Sequence, residues 1–86
     1  MDLVKTIQEA VKSKKAIIGY KEAIKYIKLN KPKLIVVANN TPESMKKDIE
    51  YNAKIFGLKV EIINISSKEL GVICGKPYPV TTIVIK

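Results

Sequence analysis

The 86-residue sequence has no histidine, no arginine and a single cysteine, Cys74. One cysteine cannot form an internal disulfide, and without histidine the usual zinc-ligand sets are missing. These absences predict a cytoplasmic protein that needs neither a disulfide nor a metal. Because arginine is absent, any contact with an anion must come from lysine ammonium groups and backbone amides instead of a bidentate guanidinium.

Long apolar runs are also missing from the sequence. No stretch approaches the ~18 residues that a membrane-spanning helix requires, so we expect no membrane partner. A hydrophobic content of 47% is enough for a single core in a chain of this length. The sequence therefore predicts one domain over residues 1–86.

Signatures of catalysis are missing as well. The sequence contains no paired-carboxylate pattern and no glycine-rich phosphate loop of the P-loop or dinucleotide type. Cys74 has no histidine to activate it, and it follows the predicted core positions Leu70 and Ile73 in helical spacing, which favours a small core residue over a nucleophile. We expect a binding module, not an enzyme, and no cofactor.

Positive charge dominates what is present. The net charge is +8, and lysine supplies all sixteen basic residues. A polyanion partner is one interpretation, and heat adaptation or codon bias is the other. Lys21, Lys25 and Lys28 repeat at helical spacing and repel one another, which an anion would relieve. An ordinary exposed helix face explains the same stripe.

Residues 34–43 are central to the predicted architecture. Five consecutive apolar residues, 34–38, predict a strand buried on both faces. Thr41 then fits a helix N-cap, Pro42 fits the first helical position, and Glu43 suits the positive end of the helix dipole. The strand thus leads into a helix at a sheet edge, where open α/β sheets bind ligands.

The remaining elements follow from periodicity and turn residues. Helices are predicted over 2–14, with Asp2 as a possible cap, over 20–30, over 41–56 and from Ser66 onward; strands are predicted over 16–18, 60–65 and 80–85. Ser66 and Glu69 have capping-box spacing. The third helix should bury Met45, Ile49, Ala53 and Phe56 and stop at Gly57. This order predicts an α/β protein, a three-layer α/β/α sandwich.

The loop before the last strand places Tyr78 between Pro77 and Pro79. Because each proline fixes its own φ, the loop is stiff. Tyr78 is either a lid on the core or an aromatic surface presented to a partner.

Four stretches carry a family resemblance, over residues 17–25, 33–42, 48–53 and 69–76. In order and spacing they resemble the ribosomal protein thirty-e family of the archaeal and eukaryotic large subunit. That family belongs to a superfamily that binds kink-turns, which are sharply bent RNA helix–bulge–helix elements. The resemblance implies a four-stranded mixed sheet whose last strand is antiparallel to the first. It also implies three loops that bind RNA at one sheet edge.

The resemblance and the lysine stripe together nominate the RNA-binding residues. They are Gly19, Tyr20, Lys21, Glu22, Lys25, Lys28, Asn39, Asn40, Lys46, Lys76, Tyr78 and Val80. Gly19 would admit the phosphate backbone, Glu22 would accept from a guanine edge, and Tyr78 would stack on an extruded base. Lys21 stands where many relatives carry asparagine, so a phosphate contact is expected there.

The resemblance implies a structural constituent of the large subunit, located on the cytoplasmic ribosome, that binds a kink-turn in ribosomal RNA. Neighbouring ribosomal proteins are further potential partners, and we expect a monomer in the absence of RNA. Two alternatives stay open. One is a kink-turn-binding subunit of a guide or processing ribonucleoprotein, and the other is a small nucleotide-binding enzyme that uses the same sheet edge.

Overall fold

The computed structural model describes residues 3–86, which form four helices and four strands. The helices are α1 (Leu3–Lys12), α2 (Tyr20–Leu29), α3 (Glu43–Ile55) and α4 (Ser67–Ile73), and the strands are β1 (Ala16–Ile18), β2 (Leu34–Ala38), β3 (Val60–Ile63) and β4 (Thr82–Ile85). The predicted order of elements is confirmed. The suggested cap at Asp2 lies outside the described residues.

The strands form one mixed sheet in the order β1-β4-β2-β3. Strand β4 is antiparallel to β1 and to β2, whereas β2 and β3 are parallel. Helices α1 and α4 contribute to the core on one face, and α2 and α3 contribute to the core on the other. The predicted three-layer α/β/α sandwich, its mixed sheet and the antiparallel last strand are therefore confirmed.

Strand β2 is buried on both faces, as its apolar run predicted. Val36 and Ala38 belong to the core beside α1 and α4, and Ile35 and Val37 belong to the core beside α2 and α3. All four are at most 1% exposed. Burying one side chain of Val or Ile size contributes about 1.5–3 kcal/mol, so this strand is a large part of the fold's stability.

The turn after β2 differs from the prediction. Helix α3 begins at Glu43, with Pro42 as the N-cap residue and no side-chain cap. Thr41 is therefore not the cap. Its hydroxyl instead donates to the carbonyl oxygen of Ala38 at 2.7 Å and to that of Thr81 at 3.3 Å. Thr41 closes the turn and ties it to the segment that leads into β4, a role that depends on a residue forty positions away.

Helix α3 ends before Gly57, as predicted, but the prediction that Phe56 is buried is wrong. Gly57 follows the helix with φ +67°, a conformation that glycine adopts without strain. Ile49 and Ala53 are buried, whereas Phe56 is 38% exposed. Phe56 is the C-cap residue, where the backbone leaves the helical path and the side chain leaves the buried stripe.

Strands β3 and β4 are shorter than predicted. Strand β3 ends at Ile63, and β4 begins at Thr82 instead of Val80. The amide of Val80 donates to the carbonyl of Ser67 in α4 at 2.9 Å, so the backbone amide of Val80 is bonded to a helix and not to a neighbouring strand.

Helix α4 has the predicted cap and core residues. The hydroxyl of Ser66 accepts from the amide of Glu69 at 3.3 Å. Leu70 and Cys74 are buried, and burial raises the pKa of the Cys74 thiol. Cys74 is thus a core residue, as predicted. None of the helices within residues 3–86 is long and apolar enough to cross a membrane.

Candidate nucleic-acid interface

Three loops meet at one edge of the sheet because of the strand directions. Strands β1 and β2 both end there, and β4, antiparallel to both, begins there. The amide of Gly19 donates to the carbonyl of Thr82 at 3.0 Å, and the amide of Ala38 donates to the carbonyl of Thr81 at 2.9 Å. We call this surface, formed by residues 19–22, 39–42 and 75–81, the loop edge.

A fourth segment joins the loop edge and was missed by the sequence analysis. Strand β3 is parallel to β2, so the turn after β3 lies at the same edge. The side-chain amide of Asn39 donates to Asn64 Oδ1 at 3.3 Å, and the backbone amide of Ser67 donates to Asn40 Oδ1 at 2.8 Å. The parallel pairing of β2 and β3 was the signal that would have predicted this neighbour.

These bonds define what the two asparagines can offer to a ligand. The side-chain oxygen of Asn40 accepts from the backbone amide of Ser67, and the side-chain Nδ2 of Asn40 has no hydrogen-bond partner among residues 3–86. Asn39 uses its Nδ2 on Asn64, and its backbone carbonyl accepts from Lys46 Nζ at 3.1 Å. Both side chains are exposed. The Nδ2 of Asn40 can therefore donate a hydrogen bond to a ligand. The ammonium of Lys46 is already bonded to the backbone of Asn39 and so stabilises the turn after β2.

Gly19 shapes the start of α2. It has φ +115° and ψ 148°, a conformation that other residues rarely adopt, and the space where a Cβ would lie is open. It is the N-cap residue of α2 and provides no side chain to cap the helix. The first amides of α2 thus lie at the loop edge next to open space, where the helix dipole favours an anion.

Tyr20 has a structural partner. Its hydroxyl donates to the carboxylate of Asp48 in α3, and this hydrogen bond, with smaller contributions from burial and the negative charge, raises the pKa of Tyr20. The side chain therefore joins α2 to α3. At Tyr20, the group left to face a ligand at the loop edge is the backbone amide.

The charged residues of α2 are all exposed: Lys21, Glu22, Lys25 and Lys28. Within residues 3–86, Glu22 and Lys25 form no salt bridge, so the surface ion pair that would explain Glu22 is not made. Both side chains instead line a shallow depression of about 290 Å³ beside Tyr26 and Leu29. The carboxylate and the ammonium are each available to an external partner.

The loop before β4 contains two predicted RNA-binding residues, of which one is exposed and the other is buried. Tyr78 is 52% exposed and lines a shallow cavity of about 280 Å³ with Lys68, Val72 and Lys76, so it is presented at the surface. Val80 is only 2% exposed and packs in the core beside α4. The structure thus gives Val80 an anchoring role in the core, and its contact with RNA stays a prediction.

The loop edge carries several groups that can bind a ligand. Residues 3–86 contain no group of three or more histidine, cysteine or acidic side chains that could hold a metal ion. A cavity of about 570 Å³ lies at the opposite end of the sheet, beside Lys33 and Lys59. The loop edge instead offers amides, lysines, one carboxylate and one exposed aromatic ring.

The chain is similar to ribosomal proteins of archaea. It is 41% identical over 99% of its length to Large ribosomal subunit protein eL30 of Methanocaldococcus jannaschii, and it covers 77% of that protein. It is 43% identical over its whole length to the protein of the same name from Methanothermobacter thermautotrophicus, and it covers 88% of that chain.

Solved structures share the fold at low sequence identity. A protein of unknown function from Bacillus halodurans superposes with a TM-score of 0.88 at 15% identity, over 99% of this chain and 84% of that one. The 15.5kD RNA binding protein of Giardia lamblia superposes with a TM-score of 0.81 at 19% identity, over 96% of this chain and 69% of that one.

A family model covers the whole sequence, residues 1–86. Its description and the names of the archaeal relatives are those of ribosomal proteins, and the prediction that this chain is not an enzyme is confirmed. The family resemblance noted in the sequence is confirmed with it. The chain belongs to the ribosomal protein L7Ae/L30e/S12e/Gadd45 family.

Proposed function

We propose that this protein is a structural constituent of the large ribosomal subunit in the cytoplasm and binds a kink-turn of RNA through its loop edge. The relatives named Large ribosomal subunit protein eL30 support the ribosomal assignment, at 41–43% identity over nearly the whole chain. Ribosomal RNA is the proposed partner.

The observation that carries the proposal is the joining of three loops at one sheet edge by backbone hydrogen bonds. The amide of Gly19 donates to the carbonyl of Thr82, the first residue of β4, at 3.0 Å, and the amide of Ala38 donates to that of Thr81, just before β4, at 2.9 Å. This brings the start of α2, the turn at Asn40 and the loop that carries Tyr78 to one edge of the sheet. A kink-turn exposes unstacked bases and irregular pairs, which are the features that proteins recognise in RNA.

Each part of the loop edge suits one component of such an RNA. The open space at Gly19 and the first amides of α2 fit a phosphate. Lys21 and Lys25 add point charges, which contribute affinity without sequence readout. Glu22, which has no salt bridge to Lys25, can accept from base amino groups. Tyr78, half exposed on a stiff loop, can stack on an extruded base.

The direct test compares a kink-turn RNA with a straight duplex of the same length at one fixed salt concentration. We expect much tighter binding to the kink-turn. With about four to six phosphates neutralised, the slope of log affinity against log salt should be roughly −3 to −5. Equal affinity for the two RNAs would contradict the proposal.

A matched pair of variants locates the interface. Tyr78→Ala should weaken kink-turn binding by about 1–3 kcal/mol through loss of base stacking and leave the melting temperature nearly unchanged. Val72→Ala, also on an exposed side chain beside the same shallow cavity, is the control and should bind as the wild type does. If Tyr78→Ala melts much earlier yet binds RNA normally when folded, Tyr78 is a structural residue.

Membership of the ribosome is tested separately. The tagged protein, expressed in an archaeal host, should sediment with the large subunit at moderate salt. Sedimentation with small guide or processing ribonucleoproteins instead would replace the ribosomal assignment and keep the kink-turn assignment.

A further inference from the structure

Strand β3 lies at one end of the strand order and pairs with β2. The carbonyl of Lys59, just before β3, accepts from the amide of Ile35 at 3.4 Å. Because backbone groups alternate sides along a strand, the N–H and C=O groups of Val60 and Ile62 point away from β2. Neither residue has a backbone hydrogen bond to a turn or loop among residues 3–86. The outer edge of β3 can therefore pair with another strand.

The side chains at this edge divide between the two faces of the sheet. Lys59 and Glu61 lie on the face of α1 and α4, where Lys59 Nζ and Glu61 Oε1 are 3.1 Å apart. Ile62 lies on the face of α2 and α3, as Val60 does, and is 50% exposed. A half-exposed isoleucine on an unpaired edge strand favours association with whatever strand covers it.

A second copy of β3, running antiparallel, fits the free backbone groups. When Val60 lies opposite Val60 of the other copy, these two residues exchange both of their hydrogen bonds. The amide of each Ile62 then donates to the carbonyl of Leu58 in the other copy. The amide of Leu58 is already bonded to the carbonyl of Ala53 at 2.8 Å, so the pairing makes four backbone hydrogen bonds.

The charges select this register. It places Lys59 opposite Glu61 of the other copy at two symmetric positions, so four charges of alternating sign meet on one face. Shifting the register by one step puts either Glu61 opposite Glu61 or Lys59 opposite Lys59, and both arrangements are destabilising. On the other face, Ile62 lies opposite the half-buried Leu58 of the other copy, which covers part of its exposed surface.

We propose that β3 is a self-association surface, through which two copies of this chain pair about a twofold axis into one eight-stranded sheet. The inference does not rest on RNA binding. The pairing segment, residues 58–62, shares no residue with the loop edge, and antiparallel pairing directs the two loop edges away from each other. This pairing differs from the monomer expected from the sequence, and the experiment decides between them.

Net charge determines how strongly the copies associate. Each copy carries +8, so two copies repel each other over a long range, and the small contact provides only a limited attraction. Salt screens this repulsion over about 8 Å at 0.15 M, and it affects the close ion pairs less. Association should therefore strengthen severalfold between 50 and 300 mM salt, which is the opposite of the salt dependence of an RNA contact.

The experiment is sedimentation equilibrium without RNA, at 300 mM salt and protein concentrations from about 20 μM to about 1 mM. We expect the molar mass of the wild type to rise from 9.6 kDa toward twice that value. Lys59→Glu and Glu61→Lys each place like charges opposite one another at both symmetric positions and should weaken association severalfold. The variant K59E/E61K exchanges the two charges and should restore association to within about twofold of the wild type.

Lys47→Glu, at an exposed position of α3, is the control for net charge. It lowers the net charge by the same amount as Lys59→Glu and should associate at least as strongly as the wild type. A molar mass of one chain at every concentration would overturn the inference. Wild-type association by either single variant at β3, or a failure of K59E/E61K to recover it, would overturn it as well.

A second measurement uses the wild type alone, in case a variant fails to fold in thermal unfolding. Hydrogen exchange at the amides of Val60 and Ile62 should slow as the protein concentration rises from about 20 μM to about 1 mM, because pairing gives both amides a bonded partner. Exchange at the amide of Leu58, which is bonded within its own chain, is the internal reference. Exchange rates at Val60 and Ile62 that do not depend on concentration would overturn the inference.

Discussion

The backbone carbonyl of Tyr78 packs directly on Gly71, so closely that a Cβ on Gly71 would overlap it. The amide of Lys76 also donates to the carbonyl of Gly71, at 2.9 Å. The loop that presents Tyr78 is therefore seated on α4 at a position where only glycine fits. The proposed base-stacking residue depends on the packing of a helix seven residues earlier in the chain.

Gly71→Ala should destabilise the protein and weaken RNA binding. Alanine gains about 1 kcal/mol of helix propensity over glycine, but the new methyl collides with backbone, which is costlier to move than a flexible side chain. We expect a net loss of about 1–2 kcal/mol in the free energy of unfolding. Denaturant titration measures it, and Val72→Ala in the same helix should stay within about 0.5 kcal/mol. A higher stability for Gly71→Ala would show that the loop moves aside freely.

Glu22→Gln separates base recognition from surface charge. The carboxylate of Glu22 can accept two hydrogen bonds from a guanine edge. The glutamine side chain has one acceptor, and its NH2 group would face a guanine donor with a second donor. Affinity for the kink-turn RNA should fall by about 1–3 kcal/mol, while binding to a straight duplex stays level or rises because a negative charge is lost. Parallel titrations at one salt concentration measure both. If the affinities for both RNAs rise in Glu22→Gln, Glu22 is only a surface charge and does not recognise a base.

Asn40→Asp tests the free amide of Asn40. The aspartate keeps an acceptor for the amide of Ser67 at the start of α4, so the stability should hold within about 0.5 kcal/mol. It loses both Nδ2 hydrogens, and binding to the kink-turn should weaken more than binding to a duplex, because charge repulsion affects both RNAs alike. Asn40→Ala should lower stability as well. Equal losses for the two RNAs would leave Asn40 with only its structural role.

Tyr20→Phe tests the bond between α2 and α3. Removing the hydroxyl that donates to Asp48 should cost about 0.5–1.5 kcal/mol at pH 7. Because the folded state raises the pKa of Tyr20 above 10.0, the unfolded state loses its phenol proton first. This contribution is fully present below pH 10 and is lost as the pH rises further.

The measurement is the stability of both proteins between pH 8 and pH 11. The difference in the free energy of unfolding between the wild type and Tyr20→Phe should become smaller as the pH rises above 10. Kink-turn affinity should be unchanged, since only the backbone of Tyr20 faces the loop edge. If this difference in the free energy of unfolding does not change with pH, the hydrogen bond to Asp48 does not raise the pKa of Tyr20 and the prediction is wrong.

Local sequence determined the elements and the class of fold. The unbroken apolar run of β2 required burial on both faces, and Gly57 and Ser66 marked a helix end and a helix start through their own backbone and side-chain chemistry. These features depend on neighbours within a few residues, so periodicity and capping rules were sufficient. The family resemblance added the direction of β4 and the loop edge, which no local pattern contained.

Only the tertiary structure decided which distant residues meet. Tyr20 was expected to face RNA, yet its hydroxyl is bonded to Asp48, and Val80 was expected at the interface, yet its side chain is buried. One physical reason is register: pairing β4 between β1 and β2 satisfies backbone hydrogen bonds, buries both sheet faces and brings the ends of β1 and β2 beside the start of β4. The other is packing between helices and loops, which places Asp48 beside Tyr20 and Ser67 beside Val80.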